Sequence, residues 1–257
     1  MSYSARYVWS ALLYIMILAG ILSCSPERKS HQEGSSRKVV LTFDDAVRSH
    51  LDVVAPLLQE LGFPATFFVT YAFMDDQEHF LSWEDIAKLD SMGFEIGNHS
   101  WTHPDFGQPL HAARLAGELG LVNQHLDRYG IPEPISFAWT GNAFGPEALE
   151  VLQTHEIRFA RRGMQPEVPF GSRDPGPAYD PGIHHPLLIP TTRDFYPDIV
   201  FDDFLMALEQ AEEDEIVVLQ FHGVPDVKHP WVDTSPALFE RGMRYLKEHD
   251  YEVLAMR

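Results

Sequence analysis

Five side chains of the kinds that bind metals and move protons stand at the ends of apolar runs. Asp44 and Asp45 close the run Val39-Val40-Leu41-Thr42-Phe43, His99 and His103 bracket Ser100-Trp101-Thr102, and His222 follows Val217-Val218-Leu219-Gln220-Phe221. Two adjacent acids at the tip of a buried strand lose solvation and repel each other unless something compensates them. Taken singly these features are weak, because paired acids often cap helices and a chain with 13 histidines contains His-x-x-x-His spacings by chance. Their force comes from placement: if the runs are strands of one parallel sheet, all five residues lie at the same end of it.

The elements needed for that placement follow from periodicity. From Lys38 onward, apolar runs alternate with helical patterns about eight times without an internal repeat. Strands are expected at residues 38–43, 65–73, 94–100, 135–140, 157–163, 187–190, 215–223 and 251–256. Helices are expected at 48–62, where Gly62 is the stop, at 83–93 with Ser82 as N-cap, and at 111–130, 145–156, 202–214 and 235–250. Residues 164–186 are rich in Pro and Gly and read as a long loop. The fold class is α/β, a distorted parallel (β/α) barrel of about seven to eight strands, in which chemistry belongs where strands end and loops begin.

Composition narrows the partners. The chain has 257 residues, 45% hydrophobic, enough for one sizeable core. Its 19 Lys and Arg face 38 Asp and Glu, a net charge of −19, which excludes the basic footprint that nucleic-acid binding requires. The N-terminus carries Arg6, an apolar run from Tyr7 to Leu22 and then Ser23-Cys24, the single cysteine of the chain. This resembles a bacterial lipoprotein signal. It implies a signal peptide over residues 1–23, a lipid on Cys24, a flexible polar tether over 24–37 and a catalytic domain over 38–257, held at the bacterial cell envelope by the anchor.

The motifs Thr42-Phe43-Asp44-Asp45, His99-Ser100-Trp101-Thr102-His103 and the histidine at 222 resemble, in order and spacing, those of the polysaccharide deacetylases, the NodB-homology domain of carbohydrate esterase family four. The resemblance spans most of residues 38–257. It implies that Asp45, His99 and His103 bind a divalent metal, usually zinc, that Asp44 is the general base and that His222 is the general acid. The chemistry of these residue types agrees: two imidazoles and one carboxylate leave a zinc site open for water, and adjacent side chains at a strand end diverge, so one aspartate can face the metal and the other the water.

One element departs from the family pattern. Ala138, in Phe137-Ala138-Trp139-Thr140-Gly141-Asn142, stands where the family carries an arginine that orients the catalytic aspartate. The backbone of Gly141 or Asn142 is the expected oxyanion donor. Arg161, which shares strand parity with Ile157 and Phe159, is the expected substitute for the missing arginine, with a fork able to grip Asp44 by two hydrogen bonds; Arg162 is the alternative. Trp101 and Trp139 are the expected sugar-stacking residues, ahead of Trp83 and Trp231. His184 and His185 read as exposed loop residues, and His229 as a residue closing the site from the loop after His222.

The expected activity is hydrolysis of acetyl groups from a carbohydrate by a metal-activated water, on either an N-acetyl amino sugar polymer or an O-acetylated polysaccharide. Hydrolysis of another small amide or cyclic imide on the same fold, and an inactive glycan-binding lipoprotein that kept its metal, are the alternatives. A glycosidase fits worse, because neighbouring acids cannot flank a glycosidic bond.

Overall fold

The computed structural model describes residues 37–257, all within the unit Ser35–Arg257. Cys24, the expected signal over 1–23 and all of the expected tether over 24–37 except Arg37 lie outside the described residues. At the centre is β1 (Lys38–Phe43), which pairs along its whole length with β7 (Ile216–Phe221), from Lys38 opposite Ile216 to Phe43 opposite Phe221. Its other edge is shared by β8 (Glu252–Leu254) on the first half and β2 (Thr66–Val69) on the second. The sheet continues through β3 (Glu95–Asn98), β4 (Ser136–Ala138) and β5 (Phe159–Arg161), and beyond β7 through β6 (Arg193–Asp194). The order is β5-β4-β3-β2-β1-β7-β6, and every strand pair is parallel.

This is a half-barrel with helices around it, the distorted (β/α) barrel expected from the sequence. The side between β5 and β6 is bridged by residues 186–192. There Ile189 pairs with Arg161, Arg162 N–H donates to Ile189 O at 2.9 Å and Thr192 N–H to Val218 O at 2.8 Å. The strand expected at 187–190 shrinks to that one bridge, because Pro186 and Pro190 cannot donate to a ladder.

The helices are α1 (Ala55–Leu61), α2 (Trp83–Ser91), α3 (Pro109–Ala112), α4 (Leu115–Arg128), α5 (Pro146–Thr154), α6 (Phe201–Leu208) and α7 (Pro236–Glu248). A π-helical turn, His50–Val54, precedes α1. Pro56 lacks an N–H and its ring crowds the carbonyl four residues back, so a wider turn before it relieves a conflict that a regular helix would not. The helix expected over 111–130 is divided into α3 and α4, and α4 begins where Glu118 reaches the backbone of Trp101 and Thr102. Ser82 caps α2 through a reciprocal capping box with Asp85. No helix among the described residues is long and apolar enough to cross a membrane.

Strand alternation sorts the side chains that matter. Val39, Leu41 and Phe43 join Phe67, Val69, Leu219 and Phe221 in the main core beneath the helices. Val40 and Val218 point the other way, into the barrel, where they meet Phe68, Ala138 and Ile189. By the same period of two, Thr42, Asp44 and Gln220 belong to the interior face. The interior therefore turns from apolar to polar on approaching the strand ends.

Candidate active site

The backbone changes hand where chemistry is expected. Asp44 N–H still extends the ladder to Phe221 O at 2.9 Å, but Asp45 and Ala46 take φ of 72° and 53°. Two successive left-handed residues break the strand sharply and send the two aspartates apart. Ser100, His103, Gly141 and Asn142 also have positive φ, a conformation that non-glycine residues adopt at a cost and that clusters at functional sites.

His99 directly follows β3, with its N–H on Val69 O at 2.9 Å. Its Nδ1–H donates to Ala138 O at 2.8 Å, which turns Nε2 toward Asp45 Oδ1, 3.5 Å away. His103 Nε2 approaches the same oxygen, also at 3.5 Å. The loop between them is held by Glu118, which accepts from Trp101 N–H at 2.9 Å, Thr102 N–H at 2.6 Å and the Thr102 hydroxyl at 2.8 Å. Asp45, His99 and His103 each bring one ligand atom to within 4.8 Å of the others. Asp45 Oδ1 is buried without a hydrogen-bond partner among the described residues.

These residues fit a divalent cation. Burial alone would raise the Asp45 carboxyl, but contact with His99 and the charges of His103 and His222 outweigh it and hold Asp45 far below the usual carboxylate range. Burial lowers His103 to about 4, against the pull of Asp45. His99 is raised: burial opposes its charge, yet Asp45 and Asp44 favour a proton there. An ionised carboxylate, an imidazole kept neutral and a second imidazole whose tautomer is fixed by a backbone carbonyl form a donor set suited to such an ion.

Asp44 is 2% exposed and meets an arginine. Arg161 Nη2 donates to Asp44 Oδ2 at 2.5 Å, while Arg162 turns away to Glu167 with bonds of 2.7 and 2.8 Å. The two-pronged grip expected of Arg161 is not formed. Its Nη1 goes instead to the Thr191 hydroxyl at 3.3 Å, and the second donor to Asp44 Oδ2 is Gln220 Nε2 at 3.2 Å. Asp44 Oδ1 has no partner among the described residues.

His222 lies across from Asp44, with Nε2 4.0 Å from Asp44 Oδ2 and Nδ1 3.9 Å from Asp194 Oδ1. Its backbone carbonyl is within 2.9 Å of His50 Nε2. Burial raises the Asp194 carboxyl, and Tyr196 Oη donates to Asp194 Oδ2 at 2.8 Å. Sequence reasoning missed Asp194, Tyr196 and Gln220. Asp194 closes β6 much as Asp44 follows β1, so the strand-end rule would have found it had a two-residue strand behind a Pro-rich approach been visible.

Asp44, Asp45, His99, His103, Asp194, Tyr196, Gln220 and His222 line one cavity of about 350 Å³, with Phe73, Gly141, Asn142, Phe170, His229 and Trp231 among its walls. Asn142 N–H is already bonded to Trp139 O at 2.9 Å, which leaves Gly141 as the better placed of the two oxyanion candidates. Both tryptophan expectations need correction. Trp139 is fully buried against Phe106, Phe137 and Phe144, with its Nε1–H on Leu187 O, so it walls the cavity without offering a ring face. Trp101 is outside the lining and stacks on Tyr71 at 4.2 Å and against His125 at 4.6 Å. Trp231, 63% exposed, is the tryptophan at the cavity mouth, and Phe170, 67% exposed, joins it from the 164–186 loop. His229 Nδ1 stands 3.8 Å from Asp45 Oδ2. His184 and His185 accept from nearby backbone N–H groups and do not line the cavity.

The polysaccharide deacetylase sequence profile matches residues 31–160. A chitin deacetylase from Pestalotiopsis sp. is 29% identical over 119 residues, 42% of this chain and 39% of that protein. The uncharacterised protein YlxY of Bacillus subtilis is 25% identical over 108 residues, 42% of this chain and 32% of that one. The chain thus spans about a third to two fifths of the length of these curated relatives. Among solved structures, a CE4-family pseudoenzyme from Bacillus anthracis matches with a TM-score of 0.57 at 16% identity, over 86% of this chain and 64% of that one. The Xyl-CE4 domain of a multidomain xylanase from the hindgut metagenome of Trinervitermes trinervoides gives 0.57 at 16% identity, over 86% and 88%. Peptidoglycan deacetylase PdaC of Bacillus subtilis gives 0.54 at 15% identity, also over 86% and 88%. At these identities the likeness concerns the fold.

Proposed function

This chain belongs to the polysaccharide deacetylase family, and we propose that it hydrolyses acetyl groups from a carbohydrate, with Asp45, His99 and His103 holding a divalent metal, Zn²⁺ by the donor set. The observation that carries the reading is the shared lining of one cavity: a buried carboxylate with a free oxygen and an imidazole lie 4.0 Å apart, beside three ligand atoms grouped within 4.8 Å. A cation bound there would polarise the acetyl carbonyl and acidify water.

The protein's own groups supply the proton transfers. Asp44 takes a proton from the attacking water at Oδ1, since Oδ2 is engaged by Arg161 and Gln220. His222 delivers a proton from Nε2 to the departing amine or alcohol, with Asp194 facing its Nδ1 and Tyr196 fixing Asp194. The Gly141 N–H, in the cavity lining, would be the donor to the developing oxyanion. Trp231 and Phe170 present apolar faces to the sugar.

Acetate release by the metal-loaded protein from N-acetylchitooligosaccharides, peptidoglycan and acetylated xylan tests the proposal. Turnover of at least one, abolished by a chelator and restored by Zn²⁺, is expected. No acetate from any of them, with turnover of small amides or cyclic imides instead, would overturn it. Cys24 is proposed as the lipid attachment site, and Cys24→Ala should move the protein from the membrane fraction to the soluble one. Unchanged fractionation and acyl labelling would contradict the anchor.

A further inference from the structure

We infer that Gln220, supported by Thr191, is a positioning residue that decides which oxygen of Asp44 acts as the base; the inference rests on the reading of Asp44 as that base. Asp44, Arg161, Thr191 and Gln220 are each no more than 2% exposed and form a closed ring. Arg161 Nη2 donates to Asp44 Oδ2 at 2.5 Å, Gln220 Nε2 donates to the same oxygen at 3.2 Å, the Thr191 hydroxyl lies 2.9 Å from Gln220 Oε1, and Arg161 Nη1 returns to that hydroxyl at 3.3 Å.

The ring has one orientation. A reversed Gln220 amide would set its oxygen against a carboxylate oxygen and its NH₂ against a hydroxyl already approached by Arg161, so the polarity of the neighbours fixes Nε2 toward Asp44. The Thr191 proton has two acceptors, Arg162 O at 2.7 Å and Gln220 Oε1 at 2.9 Å, and the ring closes when it serves the second.

A single bond from Arg161 would hold Asp44 at one point and leave the carboxylate plane free to swing. A second donor on the same oxygen removes that freedom. Both donors meet at Oδ2, which leaves Oδ1 alone, buried and unpartnered, as the oxygen able to receive a proton. The cost of such placement is visible in the sequence, where Gln220 is the one polar residue between Ile216 and Phe221. It occupies an inward position in register with Thr42 on β1 and Asp194 on β6.

The test uses full-length, metal-loaded protein and 4-nitrophenyl acetate. Gln220→Met, close in volume and without the donor, should lower kcat about 10- to 100-fold, the scale of a misplaced reacting group, while KM stays within about twofold. Bound metal per chain should not change. Added to Asp44→Asn, the same substitution should cost nothing further, because the oxygen it positions is no longer a base. Thr191→Val should lower kcat by a smaller factor, and Thr191→Ser should recover most of that loss. Should Gln220→Met fail to fold, the two Thr191 variants decide the matter alone. A Gln220→Met protein with kcat near wild type beside an inactive Asp44→Asn would overturn the positioning role and leave the base intact. An active Asp44→Asn would overturn both, and a loss confined to KM or accompanied by loss of metal would overturn the positioning role.

Discussion

Both ends of the half-barrel bury carboxylates, and they treat them differently. At the end where strands begin, Glu95 accepts from the Thr66 hydroxyl at 2.7 Å, the Ser136 hydroxyl at 2.8 Å and Arg257 N–H at 3.1 Å. At the end where strands finish, Asp44, Asp45 and Asp194 each keep a buried Oδ1 without a hydrogen-bond partner among the described residues. A buried polar atom left unpaired costs about 1–3 kcal/mol, so three at one end of the sheet, two after β1 and one on β6, are a standing expense with no structural return. Saturation marks an acid that ties structure together, Glu95 between strands and Glu118 beneath the His99–His103 loop, and the free oxygen marks the acids proposed to meet a cation, a water or a substrate.

The strongest attack on this contrast is at the histidines. His99→Ala and His103→Ala should lose metal and, with it, turnover down to the metal-free level; elemental analysis beside acetate release checks both. Retained metal in either variant would mean that the cluster is a set of ion pairs only. His222→Ala should keep metal and slow acetamide hydrolysis by roughly 10²- to 10⁴-fold, with a much smaller loss on 4-nitrophenyl acetate, whose phenolate needs no acid. Equal losses on both substrates would remove His222 from that role.

Arg161 sharpens the comparison from the stability side. Arg161→Met should destabilise the protein by about 3–5 kcal/mol, because it strands a buried carboxylate without its cation. Arg161→Lys should recover part of both stability and turnover, and chemical denaturation of the pair measures the difference.

A pH experiment reaches the layer beneath. Burial lowers His50 to about 4 from an ordinary 6.5, with only partial relief from the His222 carbonyl and the charges of Asp226, Asp44 and Asp45. Between those values the unfolded chain takes a proton that the folded protein refuses, so the stability this residue contributes is present above pH 6.5 and lost as pH falls toward 4, by roughly 3 kcal/mol. His50→Gln, which can still donate to the His222 carbonyl, should show a flatter stability profile over that window. Parallel profiles would show that His50 is not what titrates.

The smallest functional effect belongs to the saturated end. Glu95→Gln should cost about 1–3 kcal/mol in denaturant unfolding and leave kcat unchanged. A fall in kcat without a fall in stability would erase the distinction between the two ends.

Much of this was legible in the sequence because parallel strands buried on both faces read as apolar runs, and the residues that interrupt such runs at their ends stand out. Asp44, Asp45, His99, His103 and His222 stand out in that way and share one cavity in the fold, and strand parity points to Arg161 rather than Arg162 as the partner of Asp44. Other features escaped because they depend on packing. Trp139 and Trp101 are aromatic in the sequence in the same sense as Trp231, and only burial tells a wall from an exposed ring face. Asp194 was hidden by a strand of two residues, and Gln220 by lying one turn of the pleat inside a run whose end drew the eye.

The central claim is that the two adjacent aspartates divide the work, Asp45 for the metal and Asp44 for the proton. Zinc content of purified Asp44→Asn and Asp45→Asn after equilibration with equal Zn²⁺ tests it directly, with wild type alongside. Asp44→Asn should retain wild-type metal while losing turnover, and Asp45→Asn should lose metal. Equal metal loss in both, or metal loss in Asp44→Asn alone, would contradict the division.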